Sequence, residues 1–505
     1  MIHSKKRFAI NVMMNWAATA VNFVVPFFLT PFVIHHLGAP SYGIWILAVS
    51  MASYLGLLDL GLRSAIVRFV SKAEAQADLG EAKRSIGAAL WIRLWASAGV
   101  ALASSGLAYL APHLFKVPPG LGRAAQITVL MCGLSVAITL ASGVFNAVLT
   151  AINRFDLLSG TTITRTVFRA GGVLLLLHAG YGLISLAYWE VIVNLAIGIL
   201  ILGITIKIFP PARVRIRRPE TRIVRMLWSY SFITFVWMMA VQVIINTDSL
   251  VIGACISVEM VAYFTIGSSL VAYAQQVAQA VSSTFVPMAS GLEASGRLED
   301  LQRMLIRGTQ AMLGLSLPIA AALYFRGGTF IALWVGSQYS RISETVLKIL
   351  TISLFFAMAN ATGGAIMLAI GKHGPVAKWT VFEALLNLGI SIILAKTIGV
   401  NGVAWGTSLS MAATHLCFWP RYVRKVLGIS PARYIAEGWG KITLCCIPFA
   451  VVCAWTDHLW LARNLIDFFS QILVVLPIYG ICLLVAFQRE VREILRSRQA
   501  SAALR

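Results

Sequence analysis

A chain of 505 residues that is 59% hydrophobic and 12% charged, with a mean hydropathy of +0.82, has too little polar surface to dissolve as a globular protein. Its 41 Lys and Arg against 19 Asp and Glu give a net charge of +22, which in a soluble chain would suggest nucleic acid. The basic residues are instead spread over alternate inter-segment turns, without aromatics between them on one face, which excludes a nucleic-acid surface and fits the topology of a multi-pass membrane protein.

In chain order, the apolar runs predict an all-α polytopic membrane protein of about fourteen transmembrane helices. They fall at 9–34, 43–69, 85–110, 124–152, 157–178, 183–208, 228–252, 259–287, 309–334, 344–370, 376–398, 402–420, 442–460 and 466–487. Lys5, Lys6 and Arg7 precede the first run, which is far longer than a signal-peptide core and lacks a small-residue cleavage site, so it counts as the first span. About 30 of the 41 basic residues lie on one side, among them Arg68, Lys72, Arg154, the Lys207–Arg225 loop, Arg303, Lys372, the Arg421–Lys441 loop and the Arg489–Arg505 tail. Both termini are therefore expected in the cytoplasm.

An internal repeat recurs at a spacing near 218. Leu149-Thr-Ala-Ile-Asn-Arg154 at the end of span four matches Met367-Leu-Ala-Ile-Gly-Lys372 at the end of span ten. Two six-helix lobes, parallel pseudo-repeats with the substrate route between them, are the architecture this implies. The expected divisions are an N-terminal lobe at 1–210, a basic cytoplasmic linker at 211–227, a C-terminal lobe at 228–425, and two extra helices with a basic tail at 426–505.

Span one places Asn11, Asn15, Thr19 and Asn22 on a single helical face, ending at Pro26 and Thr30. A continuous polar stripe is more than packing requires, so it is expected to line a cavity. Gln242 with Asn246 in span seven, and Gln275 with Gln279 in span eight, form comparable stripes. In span two, Asp59 and Arg63 are four apart and able to pair along the helix. Arg93 in span three and Arg165 with Arg169 in span five are costly to hold in hydrocarbon. The last two share a face with no carboxylate between them, and guanidinium forks suit phosphate oxygens, so Arg63, Arg93, Arg165 and Arg169 point to a phosphate or pyrophosphate site. Glu190, Asp248 and Glu383 are candidates for proton or sodium coupling, each equally able to partner an arginine; Asp59 joins them as a gating candidate. The seven cysteines, odd in number and without histidine neighbours, suggest neither disulfides nor zinc. No catalytic signature, metal cluster or cofactor motif stands out, and no enzymatic role is expected.

Several stretches together resemble the multidrug/oligosaccharidyl-lipid/polysaccharide (MOP) flippase superfamily, in its polysaccharide-exporter (Wzx-like) branch. They are His36-Leu-Gly-Ala-Pro-Ser-Tyr-Gly-Ile-Trp45, Gly56-Leu-Leu-Asp-Leu-Gly-Leu-Arg-Ser-Ala65, Thr247-Asp248, Leu333-Trp-Val-Gly336 and Leu368-Ala-Ile-Gly-Lys372. The resemblance implies two lobes forming a V, alternating access, and a cationic central cavity, for which the four arginines are the available positions. The function it implies is translocation of a polyprenyl-pyrophosphate-linked oligosaccharide from the inner to the outer leaflet. Its partners would be that lipid-linked glycan, membrane lipids, a coupling H+ or Na+ and a polysaccharide polymerase complex. The rivals are a lipid II flippase or a multidrug exporter of the same fold, then a membrane-embedded polysaccharide polymerase. A structural scaffold is the third class.

Overall fold

The computed structural model describes residues 2–59, 61–214 and 221–488, with side chains described outside 2–9, 221–234 and 457–458. Among the described residues all regular structure is helical. In chain order the helices are α1 (Ile2–Leu55), α2 (Leu62–Ala75), α3 (Leu79–Leu114), α4 (Gly122–Ala151), α5 (Phe155–His178), α6 (Leu183–Ile208), α7 (Thr221–Cys255), α8 (Val258–Ser282) and α9 (Phe285–Ala294). They continue as α10 (Leu298–Trp334), α11 (Ser337–Ala369), α12 (Gly374–Ile398), α13 (Val400–Cys417), α14 (Trp419–Leu427), α15 (Pro431–Arg433), α16 (Lys441–Leu459) and α17 (Leu465–Ala486). Among the described residues, ten stretches are long and apolar enough to cross a membrane. One of them, Ile10–Ala75, is long enough for the first two expected spans. The helices α5, α8 and α13 are not among the ten; they carry Arg165 and Arg169, Gln275 and Gln279, and a polar row from Asn401 to His415. Buried in lipid alone such helices would be costly, so their polar faces call for protein or water beside them.

The first two expected spans are not separated by a loop. They run through α1, which breaks only at Gly38, where φ is 72°. A side chain at that angle would be strained, which is why glycine stands there. The second span is itself interrupted: α1 ends at Leu55, a 3₁₀ turn covers Gly56–Asp59, and Gly61 at φ 72° starts α2.

The chain divides into two compact units, Met1–Ala262 and Tyr263–Arg505. In the first, α3 packs on α4, α4 on α6, and α1 on α5, while α7 packs against α1, α2 and α3. The division thus falls after α7, downstream of the basic 211–227 linker. Residues 215–220 of that linker and 489–505 of the basic tail lie outside the described residues. The core of the first unit is built from Leu62, Ile66 and Val70 of α2, Ile86 of α3, and Val144 and Val148 of α4, all nearly or fully buried. In the second, the main pairings are α10 with α11, α12 with α13, and α11 with α13, while α16 and α17 pack on α10.

The repeat seen in sequence is a repeat of local geometry. The Arg154 N–H donates to Leu149 O at 2.9 Å, and the Lys372 N–H donates to Met367 O at 2.9 Å. Asn153 (φ 57°) and Gly371 (φ 68°) close the two helices in the left-handed conformation. Both are six-to-one helix terminations, with the same residue offset of 218 that the sequence showed.

A cationic cavity as candidate functional site

The break between α1 and α2 decides where the first charges go. Asp59 sits in the 3₁₀ turn and Arg63 in the first turn of the next helix, so the four-residue register of a continuous helix is lost between them. The expected Asp59–Arg63 pair is therefore replaced: Asp59 forms an ion pair with Arg93 of α3. Arg93 is only 3% exposed, and its Nη1 also donates to Leu140 O on α4 at 3.2 Å. Gly143, one turn further along α4, leaves the room, since a Cβ there would collide with the guanidinium. Arg63 is exposed and makes no ion pair among the described residues.

The second cluster joins α5 to α6. Arg165 and Arg169 share a face, as the sequence spacing required, but a carboxylate does reach them. Glu190 Oε1 accepts from Arg165 Nη2 at 3.3 Å, and its Oε2 accepts from Arg169 Nε at 2.6 Å. The expectation of two guanidiniums without an acid between them is corrected: the acid comes from the neighbouring helix, which local spacing does not reveal. Asn194, one turn along α6, donates from Nδ2 to the Glu190 backbone O at 2.8 Å and to its Oε1 at 3.2 Å. Trp189 Nε1 donates to Arg169 O at 3.1 Å and holds α5 against α6.

Both clusters open onto one cavity of about 660 Å³ inside the first unit. Its lining includes Asp59, Arg63, Arg93, Arg165, Arg169 and Glu190, with Ser53, Ser135, Thr139, Asn146, Thr162 and Asn194 supplying neutral hydrogen-bonding groups. Four guanidiniums face two carboxylates there, leaving a formal charge of +2. Net positive charge held in this way attracts an anion, and the hydroxyls and amides around it are hydrogen-bonding groups of the kind a polyol can meet.

Two residues of the polar stripe of α1, expected to line a cavity, hydrogen-bond the turn before α5 and α5 itself. Asn11 donates to Asn153 O at 3.3 Å and accepts from Asp156 N at 2.9 Å, while Asn22 accepts from Thr166 Oγ1 at 2.6 Å. These bonds fasten α1 to α5, and neither residue lines the 660 Å³ cavity. Asn15 is exposed. Gln242 and Asn246 on α7 and Gln275 on α8 are half-buried, and Gln279 is exposed; they too lie outside this cavity. Asp248 is buried beside Thr247, whose hydroxyl hydrogen-bonds Tyr54 of α1.

In the second unit Glu383 is buried in a pocket of about 120 Å³ with His415, Asn360, Thr380, Thr414 and three aromatic side chains around it. His415 and Arg326 escaped the reading of the sequence. Arg326 of α10 is fully buried; its Nη2 donates to Gln471 Oε1 on α17 at 2.5 Å and its guanidinium lies 5.0 Å from the Phe468 ring centroid. The available signal was an ionisable group inside an apolar run, the same signal that singled out Arg93. Among the described residues no three His, Cys, Asp or Glu come together to hold a metal.

Residues 37–344 match the family described as polysaccharide biosynthesis protein. The chain belongs to this family. It is 22% identical over 462 residues to the uncharacterized membrane protein EpsK of Bacillus subtilis (strain 168), covering 89% of this chain and 88% of that one. It is 22% identical over 284 residues to the probable low-salt glycan biosynthesis flippase Agl15 of Haloferax volcanii, 56% of this chain and 57% of that protein. Among solved structures, the lipid II flippase MurJ in an inward closed conformation superposes with a TM-score of 0.75 at 17% identity, over 96% of this chain and 100% of that one. An inward-facing MATE-family multidrug resistance transporter of the MOP superfamily superposes with a TM-score of 0.62 at 16% identity, over 77% of this chain and 94% of that one. The fold of this polysaccharide biosynthesis family member is therefore that of MOP transporters, as the resemblance in its sequence implied.

Proposed function

We propose that this protein is a flippase for a polyprenyl-pyrophosphate-linked oligosaccharide, carrying a repeat unit of a surface glycan from the inner to the outer leaflet of the bacterial inner membrane. The observation that carries this reading is the gathering of Arg63, Arg93, Arg165 and Arg169 around one 660 Å³ cavity with two acids among them. A pyrophosphate diester places an acidic oxygen on each phosphorus, and bidentate guanidinium contacts match that array better than any neutral donor set. Family membership and the kinship to a glycan-biosynthesis flippase point the same way. A multidrug exporter of organic cations would need an acidic chamber; this one is net positive.

Glu190 and Asp59 then have a role in the cycle. In the empty carrier they stand in for the absent phosphates, so the arginines are not left as bare like charges. Cargo entering from the cytoplasmic side exchanges with Glu190 for Arg165 and Arg169, with Arg63 as the first contact because it has no acid of its own to surrender. A membrane potential negative inside favours outward movement of the anion by about 2.3 kcal/mol per charge per 100 mV. With both termini in the cytoplasm, the basic loops keep the protein oriented for that direction. A coupling ion would serve chiefly to return the unloaded carrier, and Asp248 and Glu383 are the acids placed outside the cationic cavity for that task.

The test is export in a strain lacking its own flippase. The double change Arg165→Ala with Arg169→Ala, at unchanged expression, should abolish export of the lipid-linked glycan. Undiminished export would remove the arginines from the account. Complementation of a lipid II flippase deletion by the wild-type chain would move the cargo to the peptidoglycan precursor.

A further inference from the structure

The second unit holds a buried carboxylate that no lysine or arginine pairs with among the described residues. Glu383 of α12 is 6% exposed, and among the described residues its carboxyl accepts no hydrogen bond; the titratable group facing it is His415 of α13, with Nε2 at 3.9 Å from Oε2. Position 383 is the repeat partner of Arg165, at the offset of 218, so the pseudo-equivalent site has exchanged a cation for an acid.

Neighbours hold the His415 ring at Nδ1. That nitrogen lies 2.8 Å from Phe356 O, an acceptor, and 3.0 Å from Asn360 Nδ2, a donor, so its surroundings accommodate either neutral tautomer. Asn360 Nδ2 also donates to Phe356 O at 3.1 Å, and Tyr434 Oη lies 3.0 Å from Ala359 O and 3.1 Å from Asn360 Oδ1. In either tautomer Nε2 faces a buried carboxylate that accepts no hydrogen bond among the described residues. Such a carboxylate is costly as an anion, and a proton held between it and the imidazole removes that cost.

We propose that Glu383 and His415 together bind one transferable proton, so that the second unit contains a proton site separate from the cationic cavity. The pocket is too small for a sugar or a lipid headgroup, at about 120 Å³, and its donors suit a proton better than a metal ion. A hard cation seeks about six oxygens, whereas one carboxylate and one imidazole face this gap. Thr380 and Thr414 spend their hydroxyl hydrogens on Val376 O and Ser410 O, so neither donates to the carboxylate. From the packed elements, α11 contributes Asn360 and the π-helical turn after α15 contributes Tyr434, both uncharged; Lys378 on α12 and Arg421 on α14 are exposed, and Arg421 donates to Cys417 O at 2.6 Å. Glu383 and His415 are thus the titratable groups lining the pocket. Using this proton to return the empty carrier rests on the flippase reading; the site itself does not.

The purified full-length chain in lipid nanodiscs tests the site without transport. Dicyclohexylcarbodiimide adds to a protonated, lipid-accessible carboxyl and forms a stable acylurea, which mass spectrometry locates. Glu383 should be labelled in a pH-dependent manner, the profile should shift in His415→Gln, and added sodium should leave both profiles unchanged. The Glu383→Gln chain is the control that must lose the label while running as a monodisperse species. No labelling of Glu383 at any pH, or a profile identical in His415→Gln, would overturn the shared proton. Protection by sodium would overturn it in favour of a metal-ion site. Loss of glycan export in the arginine variants is read separately, so either idea can fail without the other.

Discussion

Glu190 on α6 accepts from two arginines of α5 at once, Arg165 at 3.3 Å and Arg169 at 2.6 Å. The i, i+4 spacing on α5 stacks the two guanidiniums, and a single carboxylate from the adjacent helix reaches both. One anionic group bridging two cations is also the geometry in which a phosphate of the cargo would sit. On the proposed flippase reading, cargo displaces this carboxylate.

Replacing that carboxylate should alter affinity in an unusual direction. Glu190→Gln keeps the shape and the Asn194 contact but removes the competing charge. A soluble probe such as farnesyl pyrophosphate should then bind about 10-fold more tightly by calorimetry, the scale of one charge-assisted contact. Export should slow, because release is harder and the empty carrier is left more positive. Weaker or equal binding would show that Glu190 does not compete with the anion.

The Arg93–Asp59 pair depends on the absence of a side chain at position 143. Gly143→Ala should push the buried guanidinium off Leu140 O and cost about 2–4 kcal/mol, in the range for breaking a buried pair or overpacking a core. Gly171→Ala, where an added Cβ meets nothing, is the matched control and should be nearly neutral. Thermal unfolding of both variants in detergent reads the difference.

A pH effect is expected at the turn between α4 and α5, outside the spans. Arg154 donates to Asp156 through Nε and Nη2, both at 2.9 Å, and that hydrogen bonding holds the Asp156 carboxyl below its usual range. A depressed folded-state pKa stabilises above the ordinary aspartate value, and the stability is lost as pH falls through the depressed one. Because the pair is partly exposed, its worth is about 0.2–1 kcal/mol. Asp156→Asn should melt slightly earlier than wild type at neutral pH, and the gap should close under acid. No gap at any pH would mean that Asp156 acts through its backbone N–H to Asn11 alone.

Much of this was legible in the chain because a bilayer imposes simple rules. Long apolar runs gave the helices, and the match of Leu149–Arg154 with Met367–Lys372 gave a repeat whose two helix ends have the same hydrogen bond. Guanidiniums retained inside apolar runs led to Arg63, Arg93, Arg165 and Arg169, which the fold brings to one cavity. Their partners were harder to read, because pairing depends on which helices are neighbours. Asp59 looked like a partner for Arg63 only while the helix was taken as continuous, and Gly61 at φ 72° ends it. Glu190 lies 21 residues from Arg169 and meets it only through the α5–α6 packing. Asn11 and Asn22 were recognised as a polar stripe, but sequence periodicity does not distinguish a wet face from a helix–helix seam.

The central claim is that the arginine cavity receives a diphosphate. Equilibrium binding of farnesyl pyrophosphate to the purified chain, compared with farnesol and with the Arg165→Ala, Arg169→Ala double variant, addresses it most directly. Saturable binding that needs the diphosphate and falls about 100-fold or more in the double variant is expected, at roughly 1.5–3 kcal/mol per charge-assisted contact removed. Equal affinity for farnesol, or an unchanged affinity in a well-folded double variant, would contradict the account.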